Sequence, residues 1–442
     1  MSRKNLVFDE KLNLEKIRQL IEKKGIDINA TVTYCEEKGW TFLHVAVDTS
    51  NEELLDYLLD NKANLNVNNE NWGTPLHIAV TRDNMRVVEK LIDHGADVNS
   101  PKGSYVWTPL HVAIEALREE AAKLLVRKGA DVNIPCDDAI RTGCTPFHVA
   151  IETNREKLIE FLLKNKADVN TKLKLFSWPI FSATTLGNPK IVRSLIDHGA
   201  SINLPVDDQD SPYFSFTPLH IAATFKHSKV VRVLMDYDVD IDAVTNQGDT
   251  ALHLALLRPN EAVVKQLLIA GINVNILNNE NKIAINYCDE DSIFKMVKEH
   301  IVKLKAAKVW IHKKNINIIL KDTELKELWK KCLEEIEGMK VAKIGAVTFF
   351  DVLNDHGREL EVYTENSEDV AAVLDAGVGK MFPLYADILE SRLKGKYRGK
   401  MVKYMLCIAS VLRFSITLNV GNAEKALGAL IPNDSKSFLS IC

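Results

Sequence analysis

The stretch GTPLHIAVTRDNMRVVEKLIDHGADVN at residues 73–99 predicts two helices joined by a turn. Thr74 can cap the first helix through its hydroxyl, and Pro75 suits the first helical position, where no backbone N–H is needed. The second helix has an apolar stripe that includes Leu91, and Gly95 can supply the left-handed residue that ends it. The stretch is therefore a helix–turn–helix unit followed by another turn.

The opening phrase of this stretch recurs as WTFLHVAV, WTPLHVAI, CTPFHVAI, FTPLHIAA and DTALHLAL. Its threonine stands at residues 41, 74, 108, 145, 217 and 250, so the steps are 33, 34, 37, 72 and 33 residues. A degenerate copy, WPIFSATTL from Trp178, divides the longest step. A second degenerate copy, NKIAINYC from Asn281, follows at the same spacing. The period and the phrase resemble those of the ankyrin repeat, which is built from a turn and two helices.

This resemblance implies an all-α fold, an ankyrin-repeat solenoid of stacked helix pairs with β-turn fingers. After about Lys321 the repeat phrase ends, and a different helical pattern predicts a small C-terminal all-α domain. An open stack needs a polar cap at each end. We expect an N-terminal half-repeat or cap over residues 1–38, about seven repeats over 39–300 with a degenerate one around 178–203, a basic capping helix and linker over 301–325, and the C-terminal domain over 326–442.

Composition limits the classes of function. The chain of 442 residues has a formal net charge of −4, which gives it no overall attraction to nucleic acid or to a membrane. Its seven cysteines include no CxxC pair, as expected for reduced thiols, and its N-terminal residues lack the apolar core of a signal peptide. We therefore expect a protein of the cytoplasm, and also of the nucleus, with neither a membrane nor nucleic acid as its main partner.

Two of the steps between repeats are longer than the others, which places added residues in the turns around 134–143 and 204–216. Insertions in repeat proteins commonly map to the binding face, so their acidic side chains are candidate contacts to a target protein. The alternative is that both turns are solvated loops. The candidates are Asp137, Asp138, Asp207 and Asp208.

Aromatic residues stand at or next to the position before the capping threonine in several repeats. In ankyrin repeats this position lies at the base of the finger, near the concave surface, where aromatic side chains are favoured anchors for protein partners. The alternative is that each ring packs on the neighbouring finger. The candidates are Trp40, Trp72, Trp107 and Phe216.

A histidine recurs in every well-formed copy, at His44, His77, His111, His148, His220 and His253. Equivalent residues on stacked helices are roughly 8–10 Å apart, whereas zinc ligands lie about 2 Å from one ion. We therefore predict that these histidines form local hydrogen bonds, and we expect no metal site and no cofactor. The chain also lacks a recognised catalytic motif, so we expect no enzyme.

Residues 295–314 are basic, with seven lysines against Glu299 alone, and predict a capping helix that runs into a linker. Nucleic-acid binding or nuclear import is the alternative reading of this run. The segment TELKELWKKCLEEIEGMK then predicts a helix capped by Thr323. Its apolar face is formed by Leu325, Leu328, Cys332, Leu333, Ile336 and Met339.

The C-terminal segments CLEEIEGMKVAKIGAVTFFDVL, MFPLYADIL and LNVGNAEKALGALIPND resemble, in this order, the PRANC domain, a module joined to ankyrin repeats in poxviruses and parasitoid wasps. The resemblance rests chiefly on Cys332, Glu335, Met339, Lys343, Ile344, Phe382, Pro383 and Tyr385. The closing helices of that family are F-box-like and dock on Skp1 of cullin–RING ubiquitin ligases. The resemblance implies an F-box-like partner surface at Leu418, Ala426, Leu427, Leu430 and Phe438.

These features favour a protein–protein interaction scaffold. The leading hypothesis is a substrate adaptor whose ankyrin repeats bind a target protein through their concave face and fingers, and whose C-terminus recruits Skp1. The alternative is an ankyrin protein that sequesters a signalling or transcription factor and has no link to a ligase.

Overall fold

A computed structural model of the chain describes residues 7–8, 14–103, 106–136, 143–172, 178–320, 322–344, 347–348, 378 and 382–389. The chain divides into two compact units, residues 1–218 and 219–442. The predicted fold class, an ankyrin solenoid that is mostly helical, is confirmed, and the described residues contain only a few short strands.

The first unit begins with a small sheet and continues as pairs of short helices. Strand β1 (Val7–Phe8) pairs parallel to β2 (Thr31–Tyr34), which pairs antiparallel to β3 (Glu37–Thr41). A helix α1 (Leu14–Arg18) lies between β1 and β2. The pairs are α2 (Phe42–Asp48) with α3 (Glu52–Asp60), α4 (Pro75–Thr81) with α5 (Met85–Asp93), α6 (Pro109–Glu115) with α7 (Glu119–Arg127), α8 (Pro146–Glu152) with α9 (Glu156–Lys164), and α10 (Pro179–Leu186) with α11 (Pro189–Asp197).

The second unit continues the pattern and then departs from it. Two further pairs are α12 (Pro218–Thr224) with α13 (Ser228–Met235), and α14 (Ala251–Leu257) with α15 (Glu261–Ala270). A 3₁₀ turn at Ala284–Tyr287 precedes three helices, α16 (Asp291–Ala306), α17 (Lys313–Ile319) and α18 (Thr323–Val341). Two short strands, β4 (Lys343–Ile344) and β5 (Val347–Thr348), pair antiparallel after α18.

Local signals explain where the helices begin and end. Thr108 precedes α6 with φ −80° and ψ 163°, and its Oγ1 accepts a hydrogen bond from the backbone N–H of His111. The residue that ends α7 is left-handed, with Gly129 at φ 95°. Where glycine is absent, Lys62 and Lys166 take the same conformation at φ 58° and 67°, at a cost on the order of 1 kcal/mol each.

Asparagine side chains join successive repeats of the first unit after their outer helices. Asn66 Oδ1 accepts a hydrogen bond of 2.9 Å from the backbone N–H of Asp97, one repeat further along. Because the bond satisfies a backbone donor in the turn, it holds that turn at a fixed height in the stack. Asn99, Asn133 and Asn170 make the equivalent bond.

An asparagine of the second unit makes the same kind of bond, to residues that follow the predicted repeats at 39–300. Asn275 Oδ1 accepts from the N–H of His312 at 2.9 Å, and its Nδ2 donates to the carbonyl of Trp310 at 3.0 Å. Asn315 is fully buried and donates to the carbonyl of Val274. By this equivalence α16 is the outer helix of the last predicted copy, and within residues 301–325, predicted as a capping helix and linker, the loop after α16 is bonded to the preceding turn and is followed by α17.

The helix predicted from Thr323 is present as α18, with two differences. Asp322 rather than Thr323 caps it, since its carboxylate accepts from the N–H groups of Glu324 and Leu325. Leu333, predicted on the apolar face, is 44% exposed. The face that is buried consists of Leu325, Cys332, Ile336 and Met339.

Candidate protein-binding surface

The first finger is a β-hairpin that carries one of the candidate aromatics, Trp40. In the β2–β3 ladder, Val32 faces Trp40 and Tyr34 faces Glu37. The turn residues, Cys35 and Glu36, both have positive φ, 45° and 68°. A hairpin turn with two left-handed residues matches the twist of the strands, but it is strained without glycine.

Trp40 lies inside this finger and does not reach the surface. Its ring centroid is 5.0 Å from that of Tyr34 and 5.9 Å from that of Trp72, and the side chain is 4% exposed. For Trp40 the structure therefore corrects the predicted exposed stripe in favour of packing between fingers. Trp72 is half-buried and covers Trp40, with its indole N–H directed at the carboxylate of Glu37.

Trp107 and Phe216 are half-buried at the bases of later fingers of the first unit. The carbonyl of Trp107 accepts hydrogen bonds from the Nε2 of His77 (3.0 Å) and from the N–H of Lys102 (2.7 Å). The carbonyl of Phe216 accepts from the N–H of Val206 at 2.8 Å. Both aromatics are thus held by their backbones, and each keeps part of its surface exposed.

The recurring histidines form the local hydrogen bonds that the sequence predicts. At His111, Nδ1 accepts from the backbone N–H of Thr108 (3.2 Å), so Nε2 carries the proton and donates to the carbonyl of Cys144 (3.1 Å). Burial lowers the pKa of such a histidine from 6.5 to about 4, which keeps it neutral at physiological pH. The equivalent residues with the same pKa of about 4 are His44, His77, His148 and His220.

The acidic candidates divide between two turns. Asp207 is exposed and forms an ion pair of 2.7 Å with Lys172. Asp208 is half-buried, and its Oδ1 accepts a hydrogen bond of 3.1 Å from the N–H of Asp210. Asp207 can therefore contact a partner, whereas Asp208 shapes the turn. Asp137 and Asp138 lie outside the residues that the structure describes.

A depression between the third and fourth repeats was not predicted. Its volume is about 540 Å³, and its lining includes Glu115, Leu117, Asn154 and Arg155. Leu117 is 51% exposed and left-handed at φ 60°, at a position that Asn154 occupies one repeat later. The signal in the sequence was a leucine where other repeats have a small polar residue that tolerates this conformation.

Several residues that carry the C-terminal resemblance meet in the second unit. The carboxylate of Glu335 accepts hydrogen bonds from the N–H groups of Leu384 (3.1 Å) and Tyr385 (3.4 Å). The hydroxyl of Tyr385 donates to the carbonyl of Lys303 at 2.8 Å. Burial raises the pKa values of Glu335, Cys332 and Tyr385. The residues 382–389 are thus fastened to α16 and α18.

The predicted F-box-like surface, Leu418, Ala426, Leu427, Leu430 and Phe438, lies outside the described residues. Within the described ranges, no three His, Cys, Asp or Glu side chains are grouped so that they could hold a metal ion. None of the described helices is both long enough and apolar enough to cross a bilayer.

Comparison with known sequences identifies ankyrin repeats over most of the described chain. A family model of ankyrin repeats in three copies matches residues 9–102, 56–136, 102–173, 134–206 and 180–278, which together span 9–278. The second of the two units therefore contains the end of the matched region.

Two proteins of fowlpox virus (strain NVSL), both named as ankyrin repeat proteins, resemble the chain. FPV031 is 35% identical over 229 residues, which are 48% of this chain and 65% of that protein. FPV219 is 29% identical over 211 residues, which are 39% of this chain and 48% of that protein. The chain spans less than two thirds of the length of either relative. Among solved structures, the human ASB11 ankyrin repeat domain aligns with a TM-score of 0.44 at 25% identity, over 51% of this chain and 97% of that domain.

Proposed function

The chain belongs to the ankyrin-repeat family, and we propose that it is a two-part adaptor that binds a target protein and recruits Skp1 of a cullin–RING ubiquitin ligase. Ankyrin repeats are protein-interaction scaffolds, and proteins of this family are typically non-catalytic. The observation that carries the proposal is a row of fixed, half-buried aromatics at the finger bases, combined with a separate helical region beyond the repeats. This role places the protein in the cytoplasm, and also in the nucleus.

The proposed target surface consists of Trp72, Trp107 and Phe216, together with the exposed Asp207. The indole N–H of Trp72 is directed at Glu37, and the backbone of Trp107 is held by His77. Side chains that are already ordered lose little entropy on binding, so fixed aromatics supply more net affinity than mobile ones. Trp40 contributes indirectly, because its buried ring supports Trp72.

The Skp1-binding part is proposed from the resemblance to the PRANC domain. Support comes from Glu335 and Tyr385, which carry that resemblance and fasten residues 382–389 to the helices that follow the repeats. Support also comes from the poxvirus relatives, since the resembling family joins PRANC domains to ankyrin repeats in poxviruses. The contacts to Skp1 are proposed at Leu418, Ala426, Leu427, Leu430 and Phe438.

A titration of purified Skp1 against the full chain tests the recruitment step. Leu427→Asp combined with Leu430→Asp removes two apolar anchors, each worth roughly 1.5–3 kcal/mol when buried. We expect this variant to bind Skp1 at least about tenfold more weakly than the wild type, because each 1.4 kcal/mol is one decade of affinity. Leu186→Asp, an exposed leucine in the first unit, is the matched control and should leave Skp1 binding unchanged.

The outcome also separates the adaptor from the sequestering alternative. If the wild-type chain shows no Skp1 binding by calorimetry, or if the double variant binds as well as the wild type, the C-terminus does not act as an F-box. The protein would then be an ankyrin binding protein with no ligase link.

A further inference from the structure

The loop between α16 and α17 exposes a tryptophan. Trp310 is 69% exposed, and it is the bulkiest of the strongly exposed apolar side chains in the described residues. An indole in water forgoes the hydrophobic stabilisation that burial would bring, so the fold alone gives no reason for a tryptophan here. Tryptophan is enriched at protein interfaces, where it presents a large apolar surface together with an N–H donor.

The loop holds Trp310 in place and does not leave it mobile. The carbonyl of Trp310 accepts from Asn275 Nδ2 at 3.0 Å, and the N–H of His312 donates to Asn275 Oδ1 at 2.9 Å. Between them, Ile311 is 3% exposed and anchors the loop in the core. The indole meets the ring of His312 edge-on, with centroids 5.9 Å apart. The loop backbone is therefore held by hydrogen bonds, and the ring projects outward in contact with His312.

Three lysines stand within five residues of Trp310 in the sequence and lack an acidic partner in the described part of the chain. In the described part of the chain, no carboxylate lies within ion-pair distance of Lys305, Lys308 or Lys313. The nearby acids are engaged elsewhere, since Asp322 pairs with Lys298 at 2.9 Å and Glu324 pairs with Lys295 at 3.6 Å. The end of α16 favours a cation such as Lys305, but it explains neither Lys308 nor Lys313.

We propose that Trp310 with Lys305, Lys308 and Lys313, the Trp310 patch, is a docking surface for an acidic protein segment that places one apolar side chain on the indole. The unpaired ammonium groups would contact the carboxylates of the segment, and the fixed ring would supply the apolar anchor. None of these four residues belongs to the target surface or to the proposed Skp1 contacts, so the proposal does not depend on the proposed function.

The observations favour a protein segment over a nucleic acid. Single-stranded nucleic acid is bound along a basic groove with aromatic side chains in series, one for each stacked base. The Trp310 patch has one such ring and three unpaired lysines, on a chain whose net charge is −4. A short acidic segment with one apolar residue matches this combination in both charge and size.

Binding of defined probes to the full chain tests the proposal. The first probe is a short fluorescein-labelled peptide of alternating Asp and Glu around one central Phe, and the second has Ser in place of Phe. We expect the Phe peptide to bind the wild type about tenfold more tightly than the Ser peptide, as for one aromatic anchor. Trp310→Ala should abolish this preference, and Lys308→Glu with Lys313→Glu should weaken both peptides about tenfold. Fluorescence anisotropy at low salt measures each affinity.

Matched variants guard against indirect effects. Lys164→Glu reverses an exposed lysine of α9, and Leu186→Ala truncates an exposed leucine, and neither should change peptide binding. All the changed side chains are solvent-exposed, and unchanged thermal unfolding verifies that each variant folds. The proposal is overturned if the wild type binds neither peptide, if Trp310→Ala keeps the preference for Phe, or if a single-stranded oligothymidylate binds the patch more tightly than the Phe peptide.

Discussion

Two neighbouring repeats of the first unit, α8–α9 and α10–α11, share a fold but differ in the polar bonds that hold it. In the first, Thr145 caps α8, and His148 donates from Nε2 to the carbonyl of Thr171 at 3.0 Å. In the second, Trp178 stands at the cap with no side-chain bond, and Phe181 replaces the histidine. The fold survives this loss because the apolar positions are kept.

The two repeats have the same apolar core and differ only in how their buried polar groups are bonded. Ile180, Ala183 and Leu195 of the degenerate repeat are fully buried, as are their counterparts in the intact one. Thr184, however, is fully buried with no hydrogen-bond partner for its hydroxyl among the described residues. Apolar burial thus suffices to form a repeat, and we expect the Thr–His network to add stability and a dependence on pH to the intact one.

The largest expected effect is that of pH on the intact repeats. A histidine with a folded pKa of about 4 against 6.5 binds fewer protons when folded, so its contribution is complete above pH 6.5 and is lost as the pH falls toward 4. Each such histidine can cost up to about 1.4 kcal/mol per pH unit in this window. Amide exchange of the full chain should show α8 losing protection between pH 7 and pH 5, while α10, which has Phe181, loses less. Equal losses of protection in both helices would mean that the buried histidine is not the cause of the pH dependence.

A smaller effect is expected when an intact repeat is given the side chain of the degenerate one. His111→Phe removes the partner of the buried N–H of Thr108 and the bond to the carbonyl of Cys144. We expect the free energy of unfolding to fall by about 2 kcal/mol, because an unsatisfied buried N–H costs roughly 1–3 kcal/mol. Urea unfolding at neutral pH measures the change. The control is His94→Phe at an exposed histidine, and a comparable loss there would mean that the network is not the cause.

The smallest expected effect is a pair of opposite changes at two fully buried threonines. Thr108→Val removes a cap and should lower the free energy of unfolding by about 1 kcal/mol. Thr184→Val replaces a hydroxyl that has no partner with a methyl group of the same shape, and should raise stability by about 1 kcal/mol. The urea midpoints should therefore move in opposite directions at constant slope. A loss in both variants would show that the hydroxyl of Thr184 does have a partner.

The candidate surface could be predicted only in part. The finger-base position of Trp40, Trp72 and Trp107 followed from the repeat phase, and the structure describes all three at the fingers. Their exposure did not follow, because Trp40 is covered by Tyr34 and Trp72, which lie in other segments of the chain. Exposure depends on neighbours that a local pattern does not name.

The C-terminal part shows the same limit at the level of single contacts. The helix at 323–341 was predicted from its apolar spacing, but its cap proved to be Asp322, one residue earlier than expected. The bonds from Leu384 and Tyr385 to Glu335 join residues about fifty positions apart. No periodic signal links such residues, so their meeting is visible only in the folded chain.

The sequence by itself determined the repeats, their helix starts and their left-handed ends, because capping threonines, prolines and glycines act within a few residues of where they stand. The tertiary structure alone decided that Trp40 is buried, that Trp310 is exposed and that the loop before α17 is bonded to Asn275. These outcomes depend on hydrogen bonds and packing across thirty or more residues, such as those of Asn275 with Trp310 and His312. The free energy of such contacts is a property of the folded arrangement and not of any local stretch.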